Sequence, residues 1–495
     1  MIRFRHVNFS YHSPDEESKE LILKDINISI EKGECVLFTG ASGCGKSTLL
    51  QLINGIIPEF TNGTVDGDIL LQNRRADTLS IAERSMLVGS VFQNPKSQFF
   101  HLNTSDEICF GAANHRVPIE KIKDRFNDTV ALFSIEDLMN RNILQLSGGE
   151  KQQIACASVT MSQPSIYLLD EPSSNLDPES IKKLKTILLE LKKLGNTILI
   201  AEHRLYYALE VCDRVIYMQK GRIVFDQGKE EFMNQCDQKA HGLRSFYANS
   251  IDKLWKGCYE EVEGKIEDSI CINEMLVTYP NKVAVDITDL ELPKHKVVAI
   301  VGGNGAGKSS FVRALVGIDK TKHFILNGKK AKRKDCIKQS YMVMQDVNCQ
   351  LYSESVLDEL VDLTEETDEE IAKAKEILTK LHLIDFVESH PLALSGGQKQ
   401  RLAIACALFL DKKILVFDEP TSGLDYKNML NVSLILKDLK EKVDCLIVIT
   451  HDIELIEQCA DYILEIHQGR VKRQLIKNEE EIKWKQKIPY SAYGN

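Results

Sequence analysis

Short apolar runs that end in a glycine loop or an acidic pair recur along the chain. ECVLFTG at 34–40 and KVVAIVG at 296–302 predict buried strands, each feeding a loop and then a helix. IYLLDE at 166–171 and ILVFDE at 414–419 predict buried strands that end in carboxylates. Strands that alternate with helices in this way form a mostly parallel sheet covered by helices, so the pattern predicts an α/β fold.

A helix with one apolar face is predicted after the first acidic pair. Pro178, directly after Asp177, suits the first helical turn, and Gly195 suits the end of the helix. The strand TILIAEH follows at 197–203. The apolar positions of the helix recur at helical spacing and predict a buried stripe of Ile181, Leu184, Ile187, Leu188, Leu191 and Leu194.

The chain contains an internal duplication. GASGCGKST at 40–48 recurs as GGNGAGKSS at 302–310. LSGGEKQ at 146–152 recurs as LSGGQKQ at 394–400, and the acidic-pair segment LLDEPSSNLD of the first half recurs as VFDEPTSGLD in the second. Chance does not preserve so many segments in one order, so the chain is a tandem repeat of one domain type.

The repeat sets the expected domain boundaries. A length of 495 residues suits two compact domains, and we predict a first domain at 1–235 and a second at 268–495. Residues 236–267 mix charges with Trp255 and Tyr259 and lack a long periodic pattern, which predicts a structured connector. The second half is shorter than the first between its phosphate loop and its LSGG segment.

Composition narrows the functional classes. Apolar residues make up 43% of the chain and charged residues 27%, which is typical of a globular protein. The net charge of −10 argues against a general nucleic-acid binder, although a local basic patch can lie within an acidic total. The 13 cysteines include no CxxC pair, which favours core thiols in a reducing cytosol over a metal or disulfide framework. Cys44 lies inside a phosphate loop, either as a small filler or as an oxidation-sensitive position.

Neither a signal peptide nor a membrane span is expected from the sequence. The N-terminus has no apolar run of signal-peptide length, and no stretch approaches the roughly 20 apolar residues that a spanning helix needs. We therefore expect a cytosolic protein that reaches any membrane by docking.

The two glycine-rich loops match GxxxxGK[ST], a pattern that binds phosphates with glycine backbone and a helix N-terminus. Lys46 and Lys308 are expected to contact the β- and γ-phosphates of ATP, and Ser47 and Ser309 to offer a hydroxyl to Mg²⁺. The other loop positions expected to bind ATP are Gly40, Ser42, Gly43, Gly45, Thr48, Gly302, Asn304, Gly305, Gly307 and Ser310.

The acidic pairs are expected to divide two tasks, because adjacent strand residues point to opposite sides. Asp170 and Asp418 are placed to hold the shell of Mg²⁺, and Glu171 and Glu419 to polarise the attacking water as general bases.

Two further pairs of residues are candidate site residues because they occupy corresponding positions in the two halves. Gln93 and Gln345 each follow a short apolar segment, where a neutral amide can contact Mg²⁺ and the attacking water. His203 and His451 follow strands and are predicted to contact the γ-phosphate.

The LSGG segments predict a second anion-binding device in each half. A helix N-terminus with a free serine hydroxyl and bare glycine amides binds anions, yet each half already has a phosphate loop. We therefore predict that each LSGG segment completes the nucleotide site of the other half, with two ATP molecules bound head to tail. The residues concerned are Ser147, Gly148, Gly149, Ser395, Gly396 and Gly397.

Together these motifs resemble the ATP-binding cassette (ABC) family over essentially the whole chain. The resemblance implies two P-loop domains, each with a mainly parallel sheet, an antiparallel β part and a helical subdomain that carries the LSGG signature. It implies ATP hydrolysis with Mg²⁺ and an aromatic residue that stacks on adenine in each domain, for which Tyr11 and Tyr279 fit. It also shows departures: Gln153 stands where the second half has Arg401, and Glu202 precedes the first histidine.

VFQNPKSQFF at 91–100 and DEICFGAAN at 106–114 resemble ATPases of energy-coupling-factor (ECF) transporters, which import vitamins or transition-metal ions. That resemblance implies a peripheral protein on the cytoplasmic face of the cell membrane. It also implies a transmembrane coupling protein and a substrate-binding component as partners. Glu107, Asp358 and Glu359 are the implied anionic contacts, with a solvated charge as the alternative at each.

Two other readings of the tandem domains stay open: a soluble ATPase that acts on the ribosome, and the fused ATPase of a sugar importer. The connector is short and nearly charge-balanced, which counts against the ribosomal class with its long charged linker. The QNPKSQ loop favours the ECF type over the sugar importers.

Overall fold

The computed structural model describes residues 1–12, 20–174, 176–248, 258–262, 264–280, 282–362 and 367–478. The chain divides into two compact units, Met1–Ala248 with Gly423–Lys427, and Asn249–Ser422 with Asn428–Asn495. We call these the first and the second unit.

The first unit contains ten strands and nine helices within the described residues. The strands are β1 (Ile2–Tyr11), β2 (Leu23–Ile30), β3 (Cys35–Thr39), β4 (Gly63–Leu71), β5 (Arg74–Arg75), β6 (Val88–Val91), β7 (Ile166–Asp170), β8 (Thr197–Ala201), β9 (Arg214–Gln219) and β10 (Arg222–Gly228). The helices are α1 (Lys46–Asn54), α2 (Ile56–Glu59), α3 (Ile81–Leu87), α4 (Thr104–Asn114), α5 (Ile119–Phe133), α6 (Gly148–Met161), α7 (Pro178–Lys193), α8 (Leu205–Val211) and α9 (Lys229–Gln235). Short 3₁₀ turns cover Ala76–Thr78, Pro95–Gln98, Glu136–Leu138 and Ile143–Gln145.

Two sheets form the first unit. The larger sheet has the strand order β10-β9-β3-β8-β7-β6, parallel except for the β9–β10 hairpin, and the smaller antiparallel sheet has the order β2-β1-β4-β5. Helices α4 and α5 pack on α6, which begins at the first LSGG segment. This arrangement confirms the predicted α/β fold with a parallel sheet core and an antiparallel part.

Strand β3 shows why its sequence is apolar at every position. Cys35 and Leu37 enter one core cluster, whereas Val36 and Phe38 enter another, and all four side chains are fully buried. Because successive side chains of a strand point to opposite faces, a sheet covered on both sides needs apolar residues on both. The strand thereby holds the glycine loop that follows it.

Helix α7 follows the predicted pattern except at its end. Asp177 caps its N-terminus by accepting the N–H of Ser180, with Pro178 at the first position. The predicted stripe is buried from Ile181 to Leu191, but Leu194 is 67% exposed. The helix ends at Lys193, so Leu194 lies beyond the buried stripe and its predicted burial is wrong.

The second unit repeats this architecture in the described residues. Its strands are β11 (Tyr259–Glu261), β12 (Ser269–Tyr279), β13 (Lys282–Pro293), β14 (Val297–Val301), β15 (His323–Leu326), β16 (Lys329–Lys330), β17 (Ser340–Val343), β18 (Ile414–Asp418), β19 (Cys445–Ile449), β20 (Tyr462–His467) and β21 (Arg470–Lys477). Its helices are α10 (Lys308–Leu315), α11 (Arg333–Gln339), α12 (Asp358–Val361), α13 (Asp368–Lys380), α14 (Gly396–Phe409), α15 (Tyr426–Lys440) and α16 (Ile453–Cys459). Its 3₁₀ turns cover Val347–Cys349, Ile384–Phe386 and Pro391–Ala393.

The larger sheet of the second unit has the order β11-β21-β20-β14-β19-β18-β17, and the smaller antiparallel sheet has the order β13-β12-β15-β16. Strand β11 lies inside the predicted connector and pairs with β21. Tyr259 is buried there, and its hydroxyl donates to the carbonyl of Ala460. Trp255 lies outside the described residues.

No helix in the described part of the chain combines the length and the apolar character needed to span a bilayer.

Candidate functional site

The first phosphate loop is shaped by glycines in backbone conformations that residues with a side chain rarely adopt. Gly40 has φ of 144°, and a Cβ there would lie 2.1 Å from the carbonyl oxygen of Met218. Gly43 and Gly45 also have positive φ, and α1 begins directly after Gly45. The Nζ of Lys46 donates to the carbonyls of Gly40 at 3.0 Å and Ala41 at 3.2 Å, so the ammonium group closes the loop.

The second phosphate loop has the same geometry. Gly302 has φ of 146°, with its Cβ direction blocked 2.2 Å away by the carbonyl of Ile466. Gly305 and Gly307 again have positive φ, and the Nζ of Lys308 donates to the carbonyl of Gly302 at 2.7 Å. The first N–H groups of a helix have no partner within it, so the start of α10, like that of α1, offers donors to an anion.

A cavity of about 190 Å³ in the second unit brings together predicted ATP-binding residues from two places in the sequence. Its lining includes Tyr279, Asn304, Lys308, Ser309 and Ser310. A space bounded by a helix N-terminus, an ammonium group, hydroxyls and an aromatic ring has the chemistry required by a nucleotide.

Both predicted adenine-stacking tyrosines lie beside a phosphate-loop helix. The hydroxyl of Tyr11 lies 3.1 Å from Oγ1 of Thr48, and that of Tyr279 lies 3.3 Å from Oγ of Ser310. Tyr279 also donates to Asp319 at 2.7 Å, a contact that the sequence did not indicate. Both rings are partly exposed, at 36% and 45%, so their surfaces are open to a ligand.

The strand-end aspartates are half-buried carboxylates. Ser47 donates from Oγ to Oδ1 of Asp170 at 2.9 Å. Burial raises the pKa of Asp170 to about 6 and that of Asp418 to about 6. A desolvated carboxylate beside a hydroxyl is an oxygen donor set that suits Mg²⁺, so these residues fit the ion that the sequence predicted.

The glutamates that follow have an unusual backbone conformation in both units. Glu171 has φ of 45° and Glu419 has φ of 49°, in the left-handed region that residues with a side chain rarely adopt. Their N–H groups donate to Ala201 and Ile449 on the neighbouring strand. Backbone strain of this kind concentrates at functional sites.

The first unit gathers three predicted residues near Glu171. Nε2 of Gln93 donates to Oε2 of Glu171 at 2.6 Å, and Nε2 of His203 lies 3.3 Å from Oε1. Nζ of Lys46 lies 3.4 Å from Nε2 of His203. In the second unit, Nε2 of His451 lies 3.8 Å from Oε1 of Glu419 and 3.2 Å from Nζ of Lys308.

The residue before each histidine differs between the units, and so does its contact. Glu202 is 2% exposed and accepts hydrogen bonds from Oγ of Ser173 at 2.7 Å and Oη of Tyr207 at 2.6 Å. It also accepts from the N–H groups of His203 and Arg204. The buried carboxylate therefore joins the turn after Glu171 to the loop that carries His203.

In the second unit this carboxylate comes from a position two residues further along. Oγ1 of Thr421 donates to Oδ2 of Asp452 at 2.6 Å. Thr450, the counterpart of Glu202, donates from Oγ1 to Oε2 of Glu419 at 3.3 Å. Comparison of the two halves in sequence shows that Glu202 is replaced by Thr450, but it does not show that the two residues make different contacts.

The LSGG serines cap the helices that they begin. Oγ of Ser147 accepts the N–H of Glu150, while the N–H of Ser147 donates to that glutamate; Ser395 and Gln398 repeat the arrangement. The expected free hydroxyl is therefore engaged as an acceptor. Helices α6 and α14 begin at Gly148 and Gly396, and the amides of these glycines and of Gly149 and Gly397 lie in the first turn, where no intrahelical acceptor is available.

The loop after Gln93 is held by two side chains. Oε1 of Gln98 accepts the N–H of Phe92, and Oε2 of Glu107 accepts those of Phe100 and His101. Gln350 and Glu359 hold the corresponding loop, with Glu359 accepting the N–H groups of Tyr352 and Ser353. Burial raises the pKa of Glu359.

These contacts change the interpretation of the expected anionic partner contacts. Glu107 and Glu359 are buried, at 2% and 6% exposure, so they shape their loops and present no carboxylate at the surface. Neither is a solvated charge. Asp358 is half-buried and stays the predicted anionic contact.

Several large apolar or aromatic side chains are exposed at these surfaces, which the sequence reasoning missed. Phe100 is 75% exposed, Leu102 and Leu144 are also exposed in the first unit, and Tyr352 and Leu392 are exposed in the second. The N–H of Ile143 donates to the carbonyl of Leu102, which brings the segment before the LSGG motif to the same surface. Exposed apolar groups of this kind mark interaction sites.

Comparison with known proteins finds relatives that align with nearly all of this chain. Residues 23–174 and 285–422 match a family model described as ABC transporter. A putative ABC transporter ATP-binding protein of Treponema denticola is 39% identical, over 97% of this chain and 99% of the relative. The putative HMP/thiamine import ATP-binding protein YkoD of Bacillus subtilis is 30% identical, over 94% of this chain and 90% of its own. Among solved structures, a model of ribosome-bound archaeal Pelota and ABCE1 is similar with a TM-score of 0.64 and 21% identity, over 94% of this chain and 83% of that one. At that identity the likeness concerns the fold alone.

Proposed function

The chain belongs to the ABC transporter ATP-binding family, and from this premise we propose that it is the ATPase of an ECF-type importer. ATP hydrolysis at two sites then drives uptake of a small solute, of the vitamin or metal-ion class, through separate membrane subunits. The partners are a transmembrane coupling protein and a substrate-binding component, and the chain is peripheral on the cytoplasmic face of the membrane. Similarity to a relative named as an HMP/thiamine import protein supports the substrate class.

One observation carries this proposal: the loop that touches the candidate base also carries the exposed apolar surface. Gln93, at its start, lies 2.6 Å from Glu171, and Phe100, at its end, is exposed. Gln98 and Glu107 fix the backbone between them. A partner that moves Phe100 therefore shifts the amide beside the catalytic carboxylate.

The chemistry assigned to each site follows from its contacts. Lys46 and Lys308 bind the β- and γ-phosphates, and Glu171 and Glu419 accept a proton from the attacking water. His203 and His451, each beside a lysine ammonium and a glutamate, bind the γ-phosphate and orient the reacting groups. Bound Mg²⁺ would neutralise charge that develops on the phosphates. The residues that would hold it are Ser47, Gln93, Asp170, Ser309, Gln345 and Asp418.

We also propose that each LSGG segment completes the nucleotide site of the other domain. The helix amides at Gly148 and Gly396 suit a phosphate, and joining the domains in one chain, 1–235 and 268–495 through 236–267, raises their effective concentration. This part of the proposal rests on the sequence and on the helix starts within each unit.

Purification of the tagged chain from its host membranes tests the proposal. We expect integral membrane proteins to copurify, and recovery of ribosomal proteins in their place would contradict transport. Leu102→Ser is expected to reduce the membrane partners by about tenfold, because burying one leucine contributes about 1.5 kcal/mol or more. Leu194→Ser is the matched control, since Leu194 is equally exposed outside this surface.

A further inference from the structure

The second unit carries a strongly basic face in a chain whose net charge is −10. The β15–β16 hairpin, α11 and the residues that flank them hold eight exposed cations, opposed within 320–338 by the single carboxylate Asp335. We call this surface the basic face; it consists of Lys320, Lys322, Lys329, Lys330, Lys332, Arg333, Lys334 and Lys338.

The cations of the basic face are not neutralised within the described residues. None of its seven lysines makes an ion pair there. Arg333 donates to the carbonyls of Gly317 and Ile318 and makes no ion pair within the described residues. Asp319, the nearest preceding acid, is bound by Arg313 and Tyr279. The charge of the basic face is therefore available to a partner.

The duplicated hairpin of the first unit provides an internal control. Arg75 pairs with Leu70 across β4–β5 as Lys330 pairs with Ile325 across β15–β16. Arg75 forms ion pairs with Asp68 at 2.6 Å and Asp77 at 2.8 Å. The neighbouring Arg74 lies 2.9 Å from Glu83. The same structural element is thus neutralised in one unit and left cationic in the other.

The composition of the basic face favours a phosphate-rich surface over nucleic acid. Seven of the eight cations are lysines, which act as point charges and do not read base edges with the paired geometry of arginine. Phe324 is buried, so the hairpin exposes the imidazole of His323 but no phenylalanine, tyrosine or tryptophan ring for base stacking. Ile337 is 49% exposed on α11 between Lys334 and Lys338, as in helices that lie at a membrane interface.

We propose that the basic face binds the anionic phospholipid headgroups of a bilayer. The membrane as occupant rests on the proposed transport function, which brings the chain to its surface. Each lysine near an anionic bilayer contributes about 1 kcal/mol, and the attraction falls off within a Debye length of about 8 Å at physiological salt. A planar bilayer contacts only one face of the protein, so the basic face can bind it while the acidic surfaces stay away. A long nucleic acid would also approach those acidic surfaces and be repelled by them.

Vesicle binding by the purified full chain tests this proposal without membrane subunits. We expect salt-sensitive binding to phosphatidylcholine vesicles that contain phosphatidylglycerol, and none to phosphatidylcholine alone. Changing Lys329, Lys330, Lys332 and Lys334 to Gln is expected to reduce the partition constant by about 600-fold, at about fivefold per lysine. ATP turnover should stay unchanged, because none of these residues lies in the nucleotide site.

The matched control removes the same charge elsewhere. Lys121, Lys123, Lys182 and Lys183 are exposed in the first unit, and changing all four to Gln should preserve vesicle binding. Equal loss in both quadruple variants, or no binding by the unchanged chain, overturns the proposal. So does displacement of the chain from vesicles by a short RNA at the same ionic strength, which would assign the basic face to nucleic acid. Since partner recovery is measured separately, failure here leaves the transport proposal standing.

Discussion

The two candidate catalytic centres share one backbone conformation but differ in some of the residues that contact their glutamates. Glu171 and Glu419 have the same left-handed φ at the same point of the fold. Gln93 and His203 contact Glu171 in the first unit. In the second unit, Nε2 of His451 lies 3.8 Å from Glu419, and the hydroxyl of Thr450 is a further contact of that glutamate.

The difference follows from where each unit places a buried carboxylate. The hydroxyl after the acidic pair needs an acceptor in both units, supplied by Glu202 for Ser173 and by Asp452 for Thr421. In each unit, the other of these two positions makes a different contact. Thr450, the counterpart of Glu202, donates to Glu419. Arg204, the counterpart of Asp452, donates to the carbonyls of Ser173 and Leu176. The two copies of a duplicated site can therefore keep the same hydroxyl–carboxylate contact although the carboxylate comes from a different position in the sequence.

Removing the proposed bases should have the largest effect. A general base contributes a factor of about 10² to 10⁴. The double variant Glu171→Gln with Glu419→Gln is therefore expected to lose ATP turnover by at least about 100-fold, and each single variant to fall below wild type. Steady-state phosphate release measures this. Wild-type turnover in either single variant would dismiss that glutamate as a base.

Exchanging the buried carboxylate tests whether Glu202 and Asp452 are equivalent. Glu202→Thr leaves the donors of Ser173 and Tyr207 without an acceptor and should cost about 3 kcal/mol in the free energy of unfolding. The free energy of unfolding, measured with denaturant, and kcat for ATP hydrolysis are both expected to fall. Adding Arg204→Asp recreates the arrangement of the second unit and should restore most of both; if the double variant is no better than the single one, the equivalence is wrong.

Loss of the threonine hydroxyl should have a smaller effect, specific to the second centre. Thr450→Val removes a hydrogen bond to Glu419 worth about 1 kcal/mol, or roughly fivefold in rate. We expect kcat to fall while KM for ATP stays constant. Thr379→Val is the control, because its hydroxyl bonds only to a helix carbonyl at the surface. A matching decrease in the control would remove the argument for a catalytic contact.

The smallest effect is expected in the phosphate loops. Cys44 is 4% exposed, burial raises the pKa of its thiol, and Ala306 takes its place in the second loop. Cys44→Ala should therefore preserve turnover within about twofold, since small buried residues exchange at little cost. A larger decrease, measured by the same phosphate assay, would show that the thiol does more than fill space.

The phosphate loops, strand ends and helix α7 were predictable because each depends on local pattern: glycine at positive φ, apolar runs and capping residues. The left-handed φ of Glu171 was not, since the neighbouring strand imposes it. The burial of Glu107 was also missed, because its acceptor role depends on a loop folding back by seven residues. The sequence alone does not show whether a charged side chain is solvated or accepts hydrogen bonds from backbone N–H groups.

The proposed composite sites are tested most directly by placing a carboxylate at both signature helices. Gly148 and Gly396 are exposed, and Asp in the first turn of a helix is favourable to the fold, so Gly148→Asp with Gly396→Asp should fold normally. If the signatures bind the phosphates of ATP, charge repulsion lowers turnover by at least about tenfold, while the corresponding alanine variant stays closer to wild type. Wild-type turnover in the folded aspartate variant would contradict the account.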